Sequence, residues 1–450
     1  MLTTSISRRT FLKATTAGIA TFAIGRPGFA ANSKLHHACI GVGGMGFNDL
    51  QQFVDHPGVE IIAICDVDKS HLAKAAALVP NARRYTDWRE LFSKEGTRID
   101  SVNIAVPDHM HAPITMTALH ARKHLYCQKP LCHDVTECRA VARAAAAAGV
   151  VTQLGTQFAS GIGDRMMVDC LREEVIGKVK RIITCSNRAS GAQYRLEGPR
   201  PAQGTPVPED LAWDLWLGTA PVRPYAPEIY HPMKWRAWQD FGTGWSGDIG
   251  CHIFSAVWLG LGLTAPRTVI AEVQESWKNS PARRADTWPH SDHITWVFPG
   301  NEKTEGKEVS IEWFYGEIYP PEDIRKMSEF ENYPEEAAMV IGTEGAVILP
   351  HQSGPRLLPS EKFKGRSLPK LPPRNHYHHF ADACLGGPMT ESNFSVTGPM
   401  AEAILLGTVG IREPGTLLQW DATRMRFRNA PQANRHLQRR YRDGWRVRGL

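Results

Sequence analysis

The chain has 450 residues, more than one ordinary hydrophobic core spans, which favours two domains. Hydrophobic residues make up 42% of it and charged residues 22%, as is typical of a soluble globular protein. The formal net charge is +6, but Arg8, Arg9, Lys13 and Arg26 lie in a first stretch of 30 residues that holds no acid, which leaves only +2 for the rest. So small a charge argues against nucleic acid as a partner.

The first 30 residues are predicted to be an export signal, with a signal peptide at 1–30. The pair Arg8-Arg9 precedes an apolar run at 14–24, and small residues lead to a cleavage position after Ala30. The segment "SRRTFLK" resembles the bacterial twin-arginine signal, so we expect the twin-arginine export machinery as a partner and a periplasmic or otherwise exported location. The apolar run is shorter than the ~20 residues of a membrane span, and no stable span is expected.

Residues 35–157 alternate between apolar strand-like runs and helix-like stretches. The strand-like runs are "HHACIGV", "EIIAICD", "DSVNIAV", "KHLYCQ" and "GVVTQLG". The helix-like stretches include "GFNDLQQFV", "SHLAKAAALV" and "DVTECRAVARAAAAAG". Nearly continuous apolar strands that alternate with helices indicate an α/β fold with a doubly wound parallel sheet, covered on both faces.

A glycine-rich turn follows the first strand-like run. Gly41, Gly43 and Gly46 fit the pattern G-x-G-x-x-G, with Gly44 and Met45 between them. The first glycine allows a tight turn, the second lets the backbone approach a pyrophosphate, and the third permits close packing of helix on strand. The start of the following helix offers unpaired N–H groups and the positive end of its dipole to phosphates. Strand, turn and helix together predict a nucleotide-binding Rossmann domain.

The choice of nucleotide depends on Asp66, which ends the second strand-like run 20 residues after Gly46. A carboxylate there can accept hydrogen bonds from both ribose hydroxyls and would repel a 2′-phosphate, so NAD is favoured over NADP. The twin-arginine route carries folded proteins, often with the cofactor in place. Because free nicotinamide nucleotides are not expected outside the cytoplasm, we expect the NAD to be tightly bound.

The pattern changes beyond this domain. Runs such as "KVKRIITCSNRAS", "SDHITWVFPG", "EVSIEWFYG" and "AAMVIGTEGAVILP" indicate antiparallel strands of a second sheet, and "HYHHFADACLGG" and "GPMAEAILLGTVGI" return to helix. A second domain is predicted at 158–430. A basic arm follows at 431–450, where Leu437, Tyr441 and Trp445 suggest packing on this subunit or on a neighbouring one.

The cysteines indicate buried thiols. Nine is an odd number for an oxidising compartment, and no two of them form a C-x-x-C pair. Several, such as Cys65 and Cys185, lie within apolar strand-like runs. No metal site is expected from them.

Several pieces of the chain, in order, resemble the Gfo/Idh/MocA oxidoreductases, which include glucose–fructose oxidoreductase and inositol dehydrogenase. The pieces are "GVGGMG", "ICDVD", "AVPDHMHA", "YCQKPL" and "GTGWSGDIGCH". Two further segments resemble an exported branch of the family: "WDLWLGTAPVRPYAPEIYHPMKWRAW" and "NHYHHFADACLGG". The resemblance implies a Rossmann domain, an α/β domain with an open, mostly antiparallel sheet, a substrate held between them over the nicotinamide, and a homo-oligomer, dimer or tetramer.

The resemblance also implies catalytic residues. Lys129, within Gln128-Lys129-Pro130, matches the family's catalytic lysine, a cation that can stabilise a developing alkoxide during hydride removal. Gln128 replaces the usual glutamate and so removes a negative charge near Lys129. Asp248 and His252 are four residues apart, hence on one face of a helix, and match a pair beside the nicotinamide. His252 can take the hydroxyl proton, while Asp248 can orient substrate or balance charge.

Structural alternatives stay open for these residues: Lys129 as an exposed loop lysine, and His252 as a core histidine beside apolar neighbours. Ser255 stands where many exported relatives have an aspartate, which argues against a metal or an extra acid there.

Further positions are implied less directly. The resemblance places three residues at the cofactor: Pro107, His111 and Gln128. Four others could line the substrate pocket or form a structural loop: Tyr230, His231, Lys234 and Trp235. The three histidines of "NHYHHF", which are His376, His378 and His379, fit a capped helix start better than a metal site.

These observations predict an exported NAD(H)-dependent oxidoreductase that acts on a sugar, polyol or sugar derivative by hydride transfer. A second substrate could restore the cofactor in the same site. One alternative is redox-neutral, NAD-dependent glycoside cleavage through a transient keto-sugar, which regenerates bound NAD. The other is a non-catalytic sugar-binding protein on the same fold.

Overall fold

The structure, a computed structural model, describes residues 34–189, 191 and 195–450, so the predicted signal peptide lies outside the described residues. Its first sheet has six parallel strands. They are β1 (Leu35–Ile40), β2 (Val59–Cys65), β3 (Arg83–Tyr85), β4 (Ser101–Ile104), β5 (His124–Cys127) and β6 (Thr152–Leu154). The order β3-β2-β1-β4-β5-β6 is that of a doubly wound dinucleotide-binding sheet, which confirms the predicted architecture.

Helices cover both faces of this sheet. They are α1 (Met45–Val54), α2 (Lys69–Leu78), α3 (Trp88–Glu95), α4 (His111–His120) and α5 (Val135–Ala148). Side chains alternate across β1: Cys39 joins an apolar cluster with residues of α1 and α2, whereas Ala38 and Ile40 join another with residues of α4 and α5. Because both faces of the sheet are covered, an inner strand such as β2 is apolar at nearly every position.

The second sheet has nine strands. They are β7 (Val179–Ser186), β8 (Thr268–Val273), β9 (Asp292–Pro299), β10 (Glu308–Tyr315), β11 (Glu336–Gly342), β12 (Ala346–Pro350), β13 (Arg356–Leu358), β14 (Leu418–Asp421) and β15 (Arg426–Phe427). Their order is β13-β12-β11-β7-β10-β9-β8-β14-β15. All neighbours are antiparallel except the parallel pair β7 and β10, which confirms the mostly antiparallel sheet.

Helices of the second part of the chain connect the two sheets. They are α6 (Ile162–Arg172), α7 (Trp213–Leu217), α8 (Gly244–Leu261), α9 (Glu275–Lys278), α10 (Pro281–Asp286), α11 (Glu322–Met327), α12 (His376–Cys384) and α13 (Phe394–Arg412). Helix α13 packs against α8 and β8 and also against α5, while α12 packs against α1. The C-terminal helices therefore return to the first sheet.

By length and composition, α13 could cross a membrane. In the structure, however, 83% of its apolar stretch is buried inside the protein. It is therefore a core helix of the fold.

The nine cysteines are all free and buried, as predicted. Burial raises the pKa of several thiols, among them Cys39, Cys65 and Cys132. Such thiols are held in the unreactive, protonated form.

The basic arm packs on its own subunit. Its residues Tyr441 and Trp445 are buried. Arg439 donates to Glu137 at 2.9 Å and to the Thr219 hydroxyl at 2.8 Å, and the Tyr441 hydroxyl also bonds Glu137. Because Glu137 belongs to α5 and Thr219 follows α7, the arm ties the first domain to the second.

We expect Arg439→Ala to lower the free energy of unfolding by roughly 3 kcal/mol, because it removes the cation that faces the buried Glu137 carboxylate. Arg440→Ala is the matched control, since it deletes the same charge from the adjacent, exposed position. The urea midpoint of each variant measures the effect. Equal midpoints for the two variants would mean that the arm does not stabilise the fold.

Candidate active site

The glycine-rich turn between β1 and α1 requires its glycines. Gly41 has a φ of +80°, and a Cβ there would lie 2.3 Å from the Ala105 carbonyl oxygen. A Cβ on Gly46 would lie 2.1 Å from the Gly41 carbonyl oxygen. No side chain fits at these distances. The turn is therefore tight and the helix lies close to the strand, and a dinucleotide-binding turn needs both.

Asp66 borders this turn at the end of β2. Its carboxylate accepts hydrogen bonds from the Val42 N–H at 2.8 Å and from the Asp68 N–H at 2.9 Å. The Nδ1 atom of His71 lies 3.7 Å from an Asp66 oxygen, and this interaction raises the pKa of His71. The His71 ring covers Gly43, where a Cβ would lie 2.2 Å from Nδ1. The Asp66 carboxylate and the His71 imidazole thus lie at the end of β2, where this fold places the ribose of the nucleotide. We call residues 66–69 the ribose rim.

Lys129 and Arg236 form an ion cluster around the buried carboxylate of Asp248. Lys129 follows β5, and its Nζ pairs with Oδ1 of Asp248 on α8. Arg236 Nε donates to Oδ2 of the same carboxylate at 3.0 Å. Burial alone would raise the pKa of Asp248, but the charges of Lys129 and Arg236 bring it below its ordinary value. Asp248 is therefore ionised and bound to both cations.

A second carboxyl group next to this cluster behaves differently. Asp108 is buried just before α4 and accepts hydrogen bonds from the Thr243 N–H at 3.1 Å and its hydroxyl at 3.0 Å. Burial, followed by the negative charge of Asp248, raises the pKa of Asp108 to about 7. This carboxyl group therefore changes its charge near neutral pH.

His252 lies one turn after Asp248 on α8, as the spacing predicts. Burial, together with the positive charge of Lys129, lowers the pKa of His252 well below its ordinary value. Its imidazole is thus neutral at neutral pH. Nδ1 of this ring is buried and has no hydrogen-bond partner within the described part of the chain. A ring nitrogen without a partner is free to form a hydrogen bond with a bound hydroxyl group.

His351 is a further histidine at this point, which the sequence did not indicate. Its ring centre lies 5.4 Å from that of His252 and 4.6 Å from that of Phe158. Burial and then the charges of Arg188 and Lys129 lower the pKa of His351 to about 4. It comes from the end of β12, so the second sheet supplies one wall of the site.

Gln128 bonds a buried carboxylate that the sequence analysis missed. Its Nε2 donates to both oxygens of Asp49 on α1, at 2.9 and 2.8 Å, and the Tyr377 hydroxyl donates to one of them at 2.7 Å. Burial raises the pKa of Asp49 to about 6. An acidic group thus lies within hydrogen-bond distance of the Gln128 amide.

The residues predicted near the nicotinamide hold the backbone of this site. His111 is buried, and its two ring nitrogens lie 2.6 Å from the Pro130 carbonyl oxygen and 2.8 Å from that of Val106. Burial lowers the pKa of His111, but Cys127 and these carbonyls raise it more. Both nitrogens are engaged with the chain, so His111 fixes the loop that carries Lys129. Pro107 precedes the same turn.

The four residues predicted for the substrate pocket lie in and around one aromatic cluster, where several of them are engaged with other side chains. Tyr230 is buried in an aromatic cluster with Trp213 and Trp238. His231 Nε2 lies 2.9 Å from Asp68, on the ribose side of the glycine turn. Trp235 and Lys234 lie in a short 3-10 turn beside the ion cluster, where Arg236 stacks over the Trp235 ring at 4.2 Å. Contact with substrate stays a prediction for all four.

The histidines of "NHYHHF" begin α12, as predicted. Asn375 caps the helix, because its side chain accepts hydrogen bonds from the N–H groups of Tyr377 and His378. His376 bonds the Ser160 hydroxyl and the Leu154 carbonyl, which leaves neither ring nitrogen for a metal.

Within residues 34–189, 191 and 195–450, one group could hold a metal ion by its spacing. It consists of Asp68, His71 and His231, whose ligand atoms lie within 4.8 Å of one another. The hydrogen bond between Asp68 and His231 already explains this closeness. That the protein uses no metal stays a prediction.

The residues at the glycine turn fit a dinucleotide. The turn leaves no room for a side chain at Gly41, the N-terminus of α1 follows directly, and Asp66 stands at the rim. A nicotinamide bound in this domain would supply the hydride acceptor or donor. Two of the chain's own groups, the Lys129 ammonium and the neutral His252 imidazole, lie around Asp248. This pair can bind a hydroxyl oxygen and remove its proton.

Both domains match models of one known family. Residues 35–156 match the family model described as an oxidoreductase family with an NAD-binding Rossmann fold, and residues 172–341 match that of the family's C-terminal alpha/beta domain. The chain belongs to the Gfo/Idh/MocA oxidoreductase family. Membership confirms the resemblance of the sequence motifs and makes the protein an oxidoreductase with an NAD-binding Rossmann domain.

Relatives of this Gfo/Idh/MocA protein include a glycosyl hydrolase family 109 protein of Shewanella sp. (strain W3-18-1). The two are 30% identical over 149 residues, which cover 31% of this chain and 32% of the relative. The match thus spans about a third of that relative's length.

Two solved structures share the fold. Aldose-aldose oxidoreductase from Caulobacter crescentus, complexed with glycerol, has a TM-score of 0.58 and 17% identity and covers 86% of this chain and 100% of its own. An inositol dehydrogenase homologue from Azotobacter vinelandii, complexed with NADH and myo-inositol, has a TM-score of 0.57 and 14% identity, with 86% and 98% covered.

Replacing Lys129 by Met is expected to raise the pKa of His252, because the positive charge of Lys129 is one of the causes that lower it. Proton NMR titration of the histidine ring signals measures this pKa, and the loss of one signal in His252→Ala assigns it. Lys234→Met is the control, since it removes the charge of a half-buried lysine outside the ion pair. An unchanged His252 pKa in Lys129→Met would contradict the described charge cluster.

Proposed function

We propose that the protein is an NAD(H)-dependent oxidoreductase that acts on a sugar, polyol or sugar derivative by hydride transfer. The observation that carries the proposal is the unpartnered, buried Nδ1 of His252, one helical turn from the Asp248 carboxylate that pairs with the Lys129 ammonium. The two structural relatives support the substrate class, since one is complexed with glycerol and the other with NADH and myo-inositol.

The proposed reaction uses three side chains of this chain. The substrate hydroxyl donates its proton to Nδ1 of His252, while Lys129 faces its oxygen and stabilises the negative charge that develops there. Asp248 holds Lys129 in place through their ion pair. The hydride passes between the hydroxyl-bearing carbon and the nicotinamide, which is the chemistry that the cofactor supplies. The burial of these groups keeps water away and strengthens their interactions.

NAD is proposed rather than NADP, because Asp66 presents a carboxylate at the ribose rim and a 2′-phosphate would meet its negative charge.

Export by the twin-arginine machinery to the periplasm or beyond is proposed from Arg8-Arg9 and the apolar run after it. A protein exported in folded form needs its nucleotide tightly bound. We further propose a homo-oligomer of two or four subunits, as is common in the family.

Redox-neutral glycoside cleavage is the second candidate function. Its support is the similarity to a protein named as glycosyl hydrolase family 109. In this reaction the oxidation of a ring hydroxyl to a ketone acidifies the neighbouring C–H, the aglycone leaves by elimination, and hydration and re-reduction regenerate the bound NAD. His351 and His252 would then stand close together as the two imidazoles of the site.

The first test is to denature the purified exported protein and identify any released nucleotide by mass and near-ultraviolet absorbance. We expect about one NAD(H) per chain, because the glycine turn and Asp66 fit this nucleotide. If the protein carries no nucleotide and also binds neither added NAD nor added NADP, both proposed enzyme functions, hydride transfer and glycoside cleavage, are wrong. A non-catalytic sugar-binding role would then remain.

Lys129→Ala tests the chemistry. We expect it to lower the rate of oxidation or cleavage by roughly 100-fold or more while the nucleotide stays bound, because the developing oxyanion loses its cation. Lys307→Ala, which removes a lysine at an exposed position of the second domain, is the control. Solvent deuterium in the product sugar would support cleavage, whereas a free ketone without deuterium would support simple oxidation. Activity that survives Lys129→Ala unchanged would show that the assigned site is wrong.

A further inference from the structure

A segment of the second domain reaches the ribose rim of the first domain. We call residues 208–231 the strap; they include α7 and end at His231. The Lys69 N–H donates to the Asp210 carbonyl at 2.8 Å, and the Ala212 N–H donates to the Val67 carbonyl at 2.9 Å. These bonds lie directly after Asp66, the predicted ribose ligand.

His231 adds a side-chain bond at the far end of the strap. Its Nε2 lies 2.9 Å from Oδ2 of Asp68, while the other oxygen of Asp68 caps α2 by accepting the Ser70 N–H at 2.9 Å. Burial raises the pKa of Asp68, but the hydrogen bonds from Ser70 and His231 lower it more, to about 2. Asp68 is therefore ionised, and a hydrogen bond to a charged acceptor is stronger than a neutral one.

The strap is anchored from behind. Trp213 and Trp216 stack with ring centres 4.7 Å apart, Tyr230 packs with them in one apolar cluster, and Val67 of the rim packs against that cluster. The backbone of Thr219 accepts a hydrogen bond from the C-terminal arm at Arg442 N–H, at 3.0 Å. The strap is thus held in place by packing and by backbone hydrogen bonds.

We propose that the strap closes the adenosine end of the nucleotide groove and that His231 is a positioning residue for the cofactor. Through Asp68 it holds the strap on the rim, so that a bound dinucleotide leaves only after the strap detaches. The inference rests on the proposed function, since it presupposes a dinucleotide in this groove. It gives a physical reason for retention of the nucleotide that is independent of the contacts the nucleotide itself makes.

The experiment measures nucleotide exchange in the full-length exported protein. The nucleotide-loaded protein is mixed with an excess of isotopically labelled NAD, and the bound label is followed by mass spectrometry. We expect His231→Ala to exchange roughly tenfold faster than the unmodified protein, the change that about 1.4 kcal/mol produces. His231→Gln keeps an N–H donor and should restore slow exchange. His293→Ala, which removes an imidazole 3.5 Å from Glu312 on the second sheet, is the matched control.

A second variant tests the strap without touching His231. Ala212→Pro removes the N–H that bonds Val67, at a residue whose φ of −80° suits proline, and it should also speed exchange. Exchange in both His231→Ala and Ala212→Pro at the rate of the unmodified protein would overturn the inference while leaving the proposed function intact. Failure of the unmodified protein to bind NAD or NADP would overturn both.

Discussion

The buried carboxylate of Asp248 is the constraint on which the site depends. An ionised group this deeply buried is strongly destabilising unless cations and hydrogen bonds compensate it. Lys129 comes from the end of a strand of the first sheet and Arg236 from a turn of the second domain, so compensation requires both domains in place. The same charges also affect the protonation of neighbouring groups. They contribute to the raised pKa of Asp108, about 7, and to the lowered pKa of His252, which keeps that imidazole neutral. Groups with such different proton affinities in one pocket are typical of acid–base sites.

The sequence predicts most of the fold because the first sheet is buried on both faces. Strand β2 lies within a run that is apolar almost throughout, and β1 and β4 are buried along nearly their whole length. Strand β3 could not be found in this way, since Arg83 and Arg84 are exposed and only Tyr85 points inward. An edge strand of three residues carries too little pattern to stand out from a turn.

The site was only partly predictable. Lys129, Asp248 and His252 lie in motifs whose order along the chain is informative, and the helical spacing of the last two follows from local structure alone. Asp49 and Arg236 act through partners that only the tertiary fold brings near, since Asp49 meets its amide partner from 79 residues away. A buried polar residue on the apolar face of α1 was the available signal for Asp49. The contact of His231 with Asp68 crosses 163 residues and has no local pattern.

The segments that cross between the domains explain how so precise a charge balance is kept. Two sheets joined by one connection would be free to rotate, and a displacement of about 1 Å can cost an enzyme 100-fold in rate. Here α13 packs on α5, the arm clamps Glu137 through Arg439, and the strap bonds the rim after β2. Each crossing opposes domain opening, and domain opening is also how a nucleotide held between domains would escape. The contacts that keep Lys129 on Asp248 are therefore the same contacts on which the proposed tight binding of the nucleotide would depend.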